Sequence, residues 1–389
     1  MIRFQAPQLP PSRDVQSYFA LAEEARWYSN GGPCHALLVE RLERYLGPGV
    51  SCVPVANATL GLMVALRAMA GSAPRRREVL MPSFTFAATV DAVLWAGLQP
   101  VFVDVEPHGW HLDPVALEAA LRVRSSTVGA VFAASTFGTP PPLAVRRAWE
   151  RAASEAGVAL LVDSAAGFGA TDEGGARLAR QGDAEVFSFH ATKPFAVGEG
   201  GLVTTCDPDL ASRMRRLTNF GFDDGTVDED VGLNAKLAEW PAATALAVLD
   251  GYAEVLTARR RAAERMLAAL EPLGFERQCG ADGAAWQFVS VLAPSIGIRE
   301  AALERGRREG VEMRTYFSVP LHHMPAFASA PLAGDLRRTE ELASRVLSLP
   351  MANDISDADI DAIVACLAAA AASDRTRVGR HAQRSGSLR

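Results

Sequence analysis

Apolar residues along the chain follow two alternating rhythms. Short apolar runs of four to six residues, read as strands, lie at 51–55, 78–81, 100–104, 128–133 and 159–163. Between them, apolar residues recur at helical spacing over 59–70, 86–96, 114–122 and 143–155. Strands that are apolar throughout belong in a sheet buried on both faces. The βα alternation therefore predicts an α/β fold with a mostly parallel central sheet flanked by helices. Two helices, at about 15–28 and 34–45, precede it and are separated by Gly31 and Gly32.

Beyond the alternation, 235–269 reads as helix with an alanine-rich face. Strands at 286–292 and 311–316 and helices at 298–309 and 357–371 then suggest a smaller α+β unit. The expected division is an extended, proline-rich arm at 1–14, a large domain at 15–250 and a small C-terminal domain at 251–372. The segment 373–389 carries five arginines and few apolar residues, so it reads as a disordered basic tail.

Composition narrows the function classes. The 389 residues are 49% hydrophobic and 22% charged, enough for a large core without disulfide staples. The five cysteines are scattered, with no C-x-x-C pair, so neither a zinc site nor a disulfide framework is indicated. A net charge of -6 gives no basic excess for nucleic acid. No signal-peptide core follows Met1, and the apolar stretch 360–372 is too short to span a membrane. A soluble, cytoplasmic protein is expected.

Candidate chemistry centres on Lys193. The run Phe187-Ser-Phe-His-Ala-Thr-Lys193 delivers Ser188, His190 and Thr192 to one place, and the glycine-rich turn 198–201 follows. A lysine at such a strand–turn junction can be desolvated, which lowers its pKa and makes it a Schiff-base nucleophile. Asp163 ends an apolar run, where parallel sheets hold ligands; it is either a partner for a protonated ring nitrogen or a helix cap. Asn57-Ala58-Thr59 sits between a strand and a helix, so its amides suit a phosphate, or Asn57 or Thr59 simply caps the helix. Phe86 follows another strand and either stacks on a flat ring or belongs to the core. Gly167-Phe-Gly169 is not a dinucleotide fingerprint, because the third glycine position falls on Asp172. His322-His323 lacks the H-E-x-x-H spacing, and no metal site is expected from it.

The order of these features resembles the aspartate-aminotransferase-like fold (fold type I), which binds pyridoxal 5′-phosphate (PLP). More closely, the chain resembles the DegT/DnrJ/StrS family of sugar aminotransferases. The segments that carry the likeness include Asn57-Ala-Thr-Leu-Gly-Leu, Pro82-Ser-Phe-Thr-Phe-Ala-Ala-Thr89, Asp163-Ser-Ala-Ala-Gly-Phe-Gly-Ala170, Ser188-Phe-His-Ala-Thr-Lys193, Gly198-Glu-Gly-Gly201, Asn219-Phe-Gly221 and Gly232-Leu-Asn-Ala-Lys-Leu-Ala-Glu239. The resemblance implies that Lys193 is the Schiff-base lysine and general base, and that Asp163 holds the pyridine nitrogen protonated. It implies Phe86 stacked on the ring, phosphate contacts from Ala58, Thr59 and Ser188, and His190 beside the site. It also implies that Asn219 reaches the phosphate of the neighbouring subunit, hence a homodimer with shared sites. One position departs from the pattern. Three residues after the aspartate, where the family carries Gln or His, this chain has Ala166.

The expected function is transfer of an amino group from an amino acid, L-glutamate in the first instance, to a nucleotide-linked keto-sugar. Two alternatives stay open at this point: an aminotransferase for a non-sugar ketone, or a non-catalytic protein that keeps the PLP fold.

Overall fold

The computed structural model describes residues 1–70, 76–227 and 231–386, with side chains through residue 372. Helices α1 (Ser12–Ala25) and α2 (Pro33–Leu46) lead into β1 (Ser51–Val55), α3 (Ala58–Ala70), β2 (Glu78–Pro82), α4 (Ala87–Trp95) and β3 (Gln99–Val103). There follow α5 (Pro114–Val123), β4 (Val128–Ala134), α6 (Leu143–Ala156), β5 (Ala159–Asp163), β6 (Ala184–Ser188), β7 (Gly201–Thr205) and α7 (Pro208–Thr218).

The seven strands form one sheet in the order β1-β7-β6-β5-β4-β2-β3. Only β7 runs against its neighbours; the pairs β2–β3, β2–β4, β4–β5 and β5–β6 are parallel. Nearly every strand residue is buried, as expected of a sheet covered by helices on both faces. Gly61 lets α3 lie close on the sheet: a Cβ there would sit 3.1 Å from both Val203 and Val55.

This topology collects one set of strand ends. β1, β2, β5 and β6 all finish at the same sheet edge, and antiparallel β7 begins there, with Gly201 paired to both Val55 and Ser188. The strand order also reverses between β2 and β4, which opens a crevice at that edge.

The long helical pattern at 235–269 is two helices, α8 (Glu239–Asp250) and α9 (Tyr252–Leu270), separated by Gly251. Glu239 anchors the start of α2. Its carboxylate accepts the Cys34 and His35 amides at 2.6 and 3.1 Å, where the helix dipole favours an anion. The smaller sheet is antiparallel, in the order β10 (Val346–Leu349), β9 (Val289–Leu292) and β8 (Glu276–Arg277). It packs with α9, α10 (Ile296–Glu309) and α12 (Asp357–Gly386); α11 (Arg337–Arg345) runs directly into β10.

Four further features differ from the sequence reading. Residues 311–316 form no strand; Val311 and Arg314 make single bridges to Ile2 and Ser348, so the backbone pairs without a ladder. The strand expected at 286–292 starts only at Val289, because Trp286 takes a left-handed φ of 59°. The arm gives way to helix at Ser12, and Phe4 is buried in the small unit's core. The backbone of α12 is helical through Gly386, inside the segment expected to be disordered; residues 387–389 lie outside the described residues.

Candidate active site

The four strand ends bring Ala58, Phe86, Asp163 and Ser188 to the crevice edge, and the turn after β6 adds Lys193. The Lys193 amide donates to the His190 carbonyl at 2.9 Å, which closes that turn. The ammonium is enclosed by surrounding protein atoms, although part of the side chain remains accessible. Burial lowers its pKa to about 8, and the Asp163 charge opposes the drop. A lysine so placed is neutral for part of the time near physiological pH, as a nucleophile or proton carrier requires.

Asp163 is 8% exposed. Its Oδ2 accepts the Thr89 hydroxyl at 2.9 Å and its Oδ1 the Ala165 amide at 2.9 Å. Burial pushes the carboxyl up; these two bonds and the Lys193 charge pull it back. It is no helix cap, since β5 passes into a turn. A buried carboxylate held by neutral donors is ready for a cation, and a protonated ring nitrogen fits that need.

At β1, Asn57 does cap α3: its Oδ1 accepts the Leu60 amide at 2.9 Å. The cap leaves the first-turn amides of Ala58 and Thr59 with no acceptor inside the helix. The cap reading is seen in the structure, and it is compatible with an anion at the first amides. Gly201 lies directly against it, and a Cβ there would come within 2.8 Å of the Ala58 nitrogen. Ser188, 8% exposed, accepts the His190 amide at 3.2 Å. A phosphate fits this set of two free amides and one hydroxyl.

Phe86 stands immediately before α4 and is 59% exposed, so it is not core. Its ring is free to cover a flat ligand. His190 Nδ1 lies 3.2 Å from the Thr192 amide and 2.9 Å from Thr192 Oγ1, and its Nε2 lies 3.7 Å from Glu199. Asn219 is engaged within its own chain: its Oδ1 accepts Lys236 Nζ at 2.8 Å. Ala166 is buried, with its backbone against Gly138, and offers no hydrogen-bonding side chain.

Two residues of the site were not found from sequence. Gln287, 7% exposed, accepts Lys193 Nζ at Oε1 (2.9 Å) and donates from Nε2 to Thr192 Oγ1 at 3.3 Å. Arg259, on α9, holds that segment in place. It donates to the Trp286 carbonyl at 2.7 Å, the Gln287 carbonyl at 3.4 Å and Asn353 Oδ1 at 2.7 Å. Burial lowers the Arg259 guanidinium to about 10. The arm residues Gln5 to Gln8 complete a small cavity on the Lys193 side, with Arg259 and Asn353 in its wall.

Known proteins share this architecture. The crystal structure of DesI in the presence of its TDP-sugar product superposes with a TM-score of 0.87 at 36% identity, over 98% of this chain and 95% of that one. Protein MT3510 of Mycobacterium tuberculosis is 35% identical over 94% of this chain and 89% of its own length. The UDP-2-acetamido-2-deoxy-3-oxo-D-glucuronate aminotransferase of Pseudomonas aeruginosa is 30% identical over 86% of this chain and 90% of its own. With a family-wide match over residues 12–368, the chain belongs to the DegT/DnrJ/EryC1/StrS aminotransferase family and is a PLP-dependent aminotransferase.

Proposed function

We propose that this enzyme moves an amino group from L-glutamate to a keto-sugar carried on a nucleotide. Relatives are named for nucleotide-linked sugars, one for a UDP-3-oxo-sugar and one for its TDP-sugar product. The observation that carries the chemistry is Lys193, desolvated to a pKa of about 8 and turned between Asp163 and Gln287 at the crevice edge.

Ala58, Thr59 and Ser188 would hold the phosphate of PLP, Asp163 its ring nitrogen, and Phe86 the face of its ring. When bound, PLP supplies an aldehyde for amine exchange and a ring that accepts negative charge. Lys193 Nζ then takes and returns the proton that moves during exchange, and burial keeps water from competing for it. Asp163 holds the ring-nitrogen proton. Gln287 aims the Nζ lone pair, and the Thr192–His190 pair supports it from below. Asn219 and the exposed rings Phe220 and Phe222 beside it belong to a surface suited to a second copy, so we assign a homodimer in which Asn219 serves the neighbouring site.

The test is an absorbance spectrum of the protein with PLP. A yellow band should form, then bleach on adding L-glutamate, and return when a UDP- or TDP-linked keto-sugar is supplied. A band that ignores glutamate rejects that donor, and failure of every nucleotide-sugar to restore it rejects the acceptor class.

A further inference from the structure

Outside the active site, three metal-ligating side chains converge on one point. His322 and His323 end the short turn Leu321–His323, and Glu340 lies in the first turn of α11. Both imidazole Nε2 atoms reach the same Glu340 oxygen, at 2.8 and 2.5 Å. The two rings stand 4.1 Å apart, and one donor atom from each of the three groups lies within 4.8 Å of the others. We propose that His322, His323 and Glu340 bind a divalent transition-metal ion of the zinc, cobalt or nickel kind.

The donor set suits such an ion. Two imidazoles and one carboxylate match the ligand set of three-ligand zinc sites, which keep a position open to water. Imidazole also favours these metals over magnesium or calcium.

The positions are also built rather than incidental. Ser83 Oγ lies 2.7 Å from His322 Nδ1 and accepts the His322 amide at 3.1 Å. Coordination through Nε2 puts the His322 proton on Nδ1, where Ser83 Oγ accepts it; metal-bound histidines are oriented by such a partner. Glu340 is set by the start of α11, because Asp104 accepts the Arg338 and Thr339 amides at 2.9 and 2.8 Å. His322 is nearly enclosed, whereas His323 and Glu340 are half exposed, so an ion can enter from solvent. The bound ion ties three segments together: the 321–323 turn, α11 and the turn after β2 that carries Ser83.

Tag-free holoenzyme, stripped with EDTA and desalted, is titrated calorimetrically with Zn²⁺ and then Co²⁺. The wild type should saturate at one ion per chain. His323→Ala and Glu340→Gln should each weaken uptake by at least about tenfold, and Ser83→Ala by about tenfold. Melting in EDTA checks that the variants are folded, and added Zn²⁺ should raise the melting temperature of the wild type more than that of the variants. No saturable uptake by the wild type overturns the proposal. Uptake unchanged in both His323→Ala and Glu340→Gln does so too, since it would belong to other donors such as exposed Cys206 or Cys279.

Discussion

Replacing Gln287 tests how the protein sets its central amine. Gln287→Leu keeps the volume but removes the acceptor that Lys193 Nζ meets at 2.9 Å. That bond favours the charged lysine, so its loss lowers the pKa further. The neutral amine still donates to the same oxygen, so only the difference counts: about 1.5–3 kcal/mol for the charged form less about 0.5–1.5 for the neutral one leaves about 1–1.5 kcal/mol, a fall of about one pH unit. Starting from about 8 in the native protein, Lys193 would then lose its proton at a pH of about 7. Gln287→Glu has the opposite sign, because a carboxylate beside the ammonium holds the proton on.

The assay is the rate at which cofactor-free protein captures PLP, followed by growth of the yellow band as pH is stepped through this range. Only the neutral amine attacks, so the rate climbs as Lys193 deprotonates and then levels. The Leu variant should level at lower pH than the wild type and the Glu variant at higher pH. Coincident profiles for all three proteins would refute the role given to Gln287. A shift in the same direction for both variants would show that packing, not the hydrogen bond, sets the lysine.

Other positions give sharper or broader readouts. Asp163→Asn keeps the shape and the Thr89 contact but removes the charge, and turnover with glutamate should fall by about 10²–10³-fold while the fold persists; near-native turnover would exclude Asp163 as the ring-nitrogen partner. Gly201→Ala places a Cβ 2.8 Å from the Ala58 nitrogen, so it should loosen PLP binding and cost about 1–3 kcal/mol of stability, read by PLP titration and urea unfolding. Glu185, buried in β6 and bonded to Ser164 and Gln181, has its carboxyl raised by burial to about 7. Its folded-state value lies above the ordinary 4.5, so the folded state holds the extra proton and stability falls as pH rises from about 4.5 to 7. Glu185→Gln removes that slope, worth up to about 3 kcal/mol, and equal urea midpoint shifts in both proteins across this window would contradict it.

The half of the site that was legible in the sequence lies on the large sheet. The strands there are short, mostly apolar runs, and the site residues lie at their C-terminal ends or within the few residues that follow. Asp163 ends β5, Ser188 ends β6 and Lys193 lies in the turn that follows, so local pattern and chemistry coincide. The resemblance segments sit at the same ends for the same reason. Ranking of alternatives was beyond the pattern: only the folded chain shows that Asn57 caps α3.

The illegible half comes from the small unit. Gln287 meets Lys193 across 94 residues of sequence, at a place where Trp286-Gln287-Phe288 reads as the edge of a strand. Its orientation depends on Trp286 in the left-handed region and on Arg259, which takes up the carbonyls of 286 and 287 from another helix. Long-range packing of this kind leaves no period of 2 or 3.6 to read. It also divides the labour. The large unit holds the groups that would touch the cofactor, and the small unit supplies the amide that tunes the lysine. Arg259 stands on α9, whose first turns pack with the N-terminal helices and whose later turns pack in the small unit's core. Arg259 and Gln287 thus tie the central amine to packing that lies outside the large sheet.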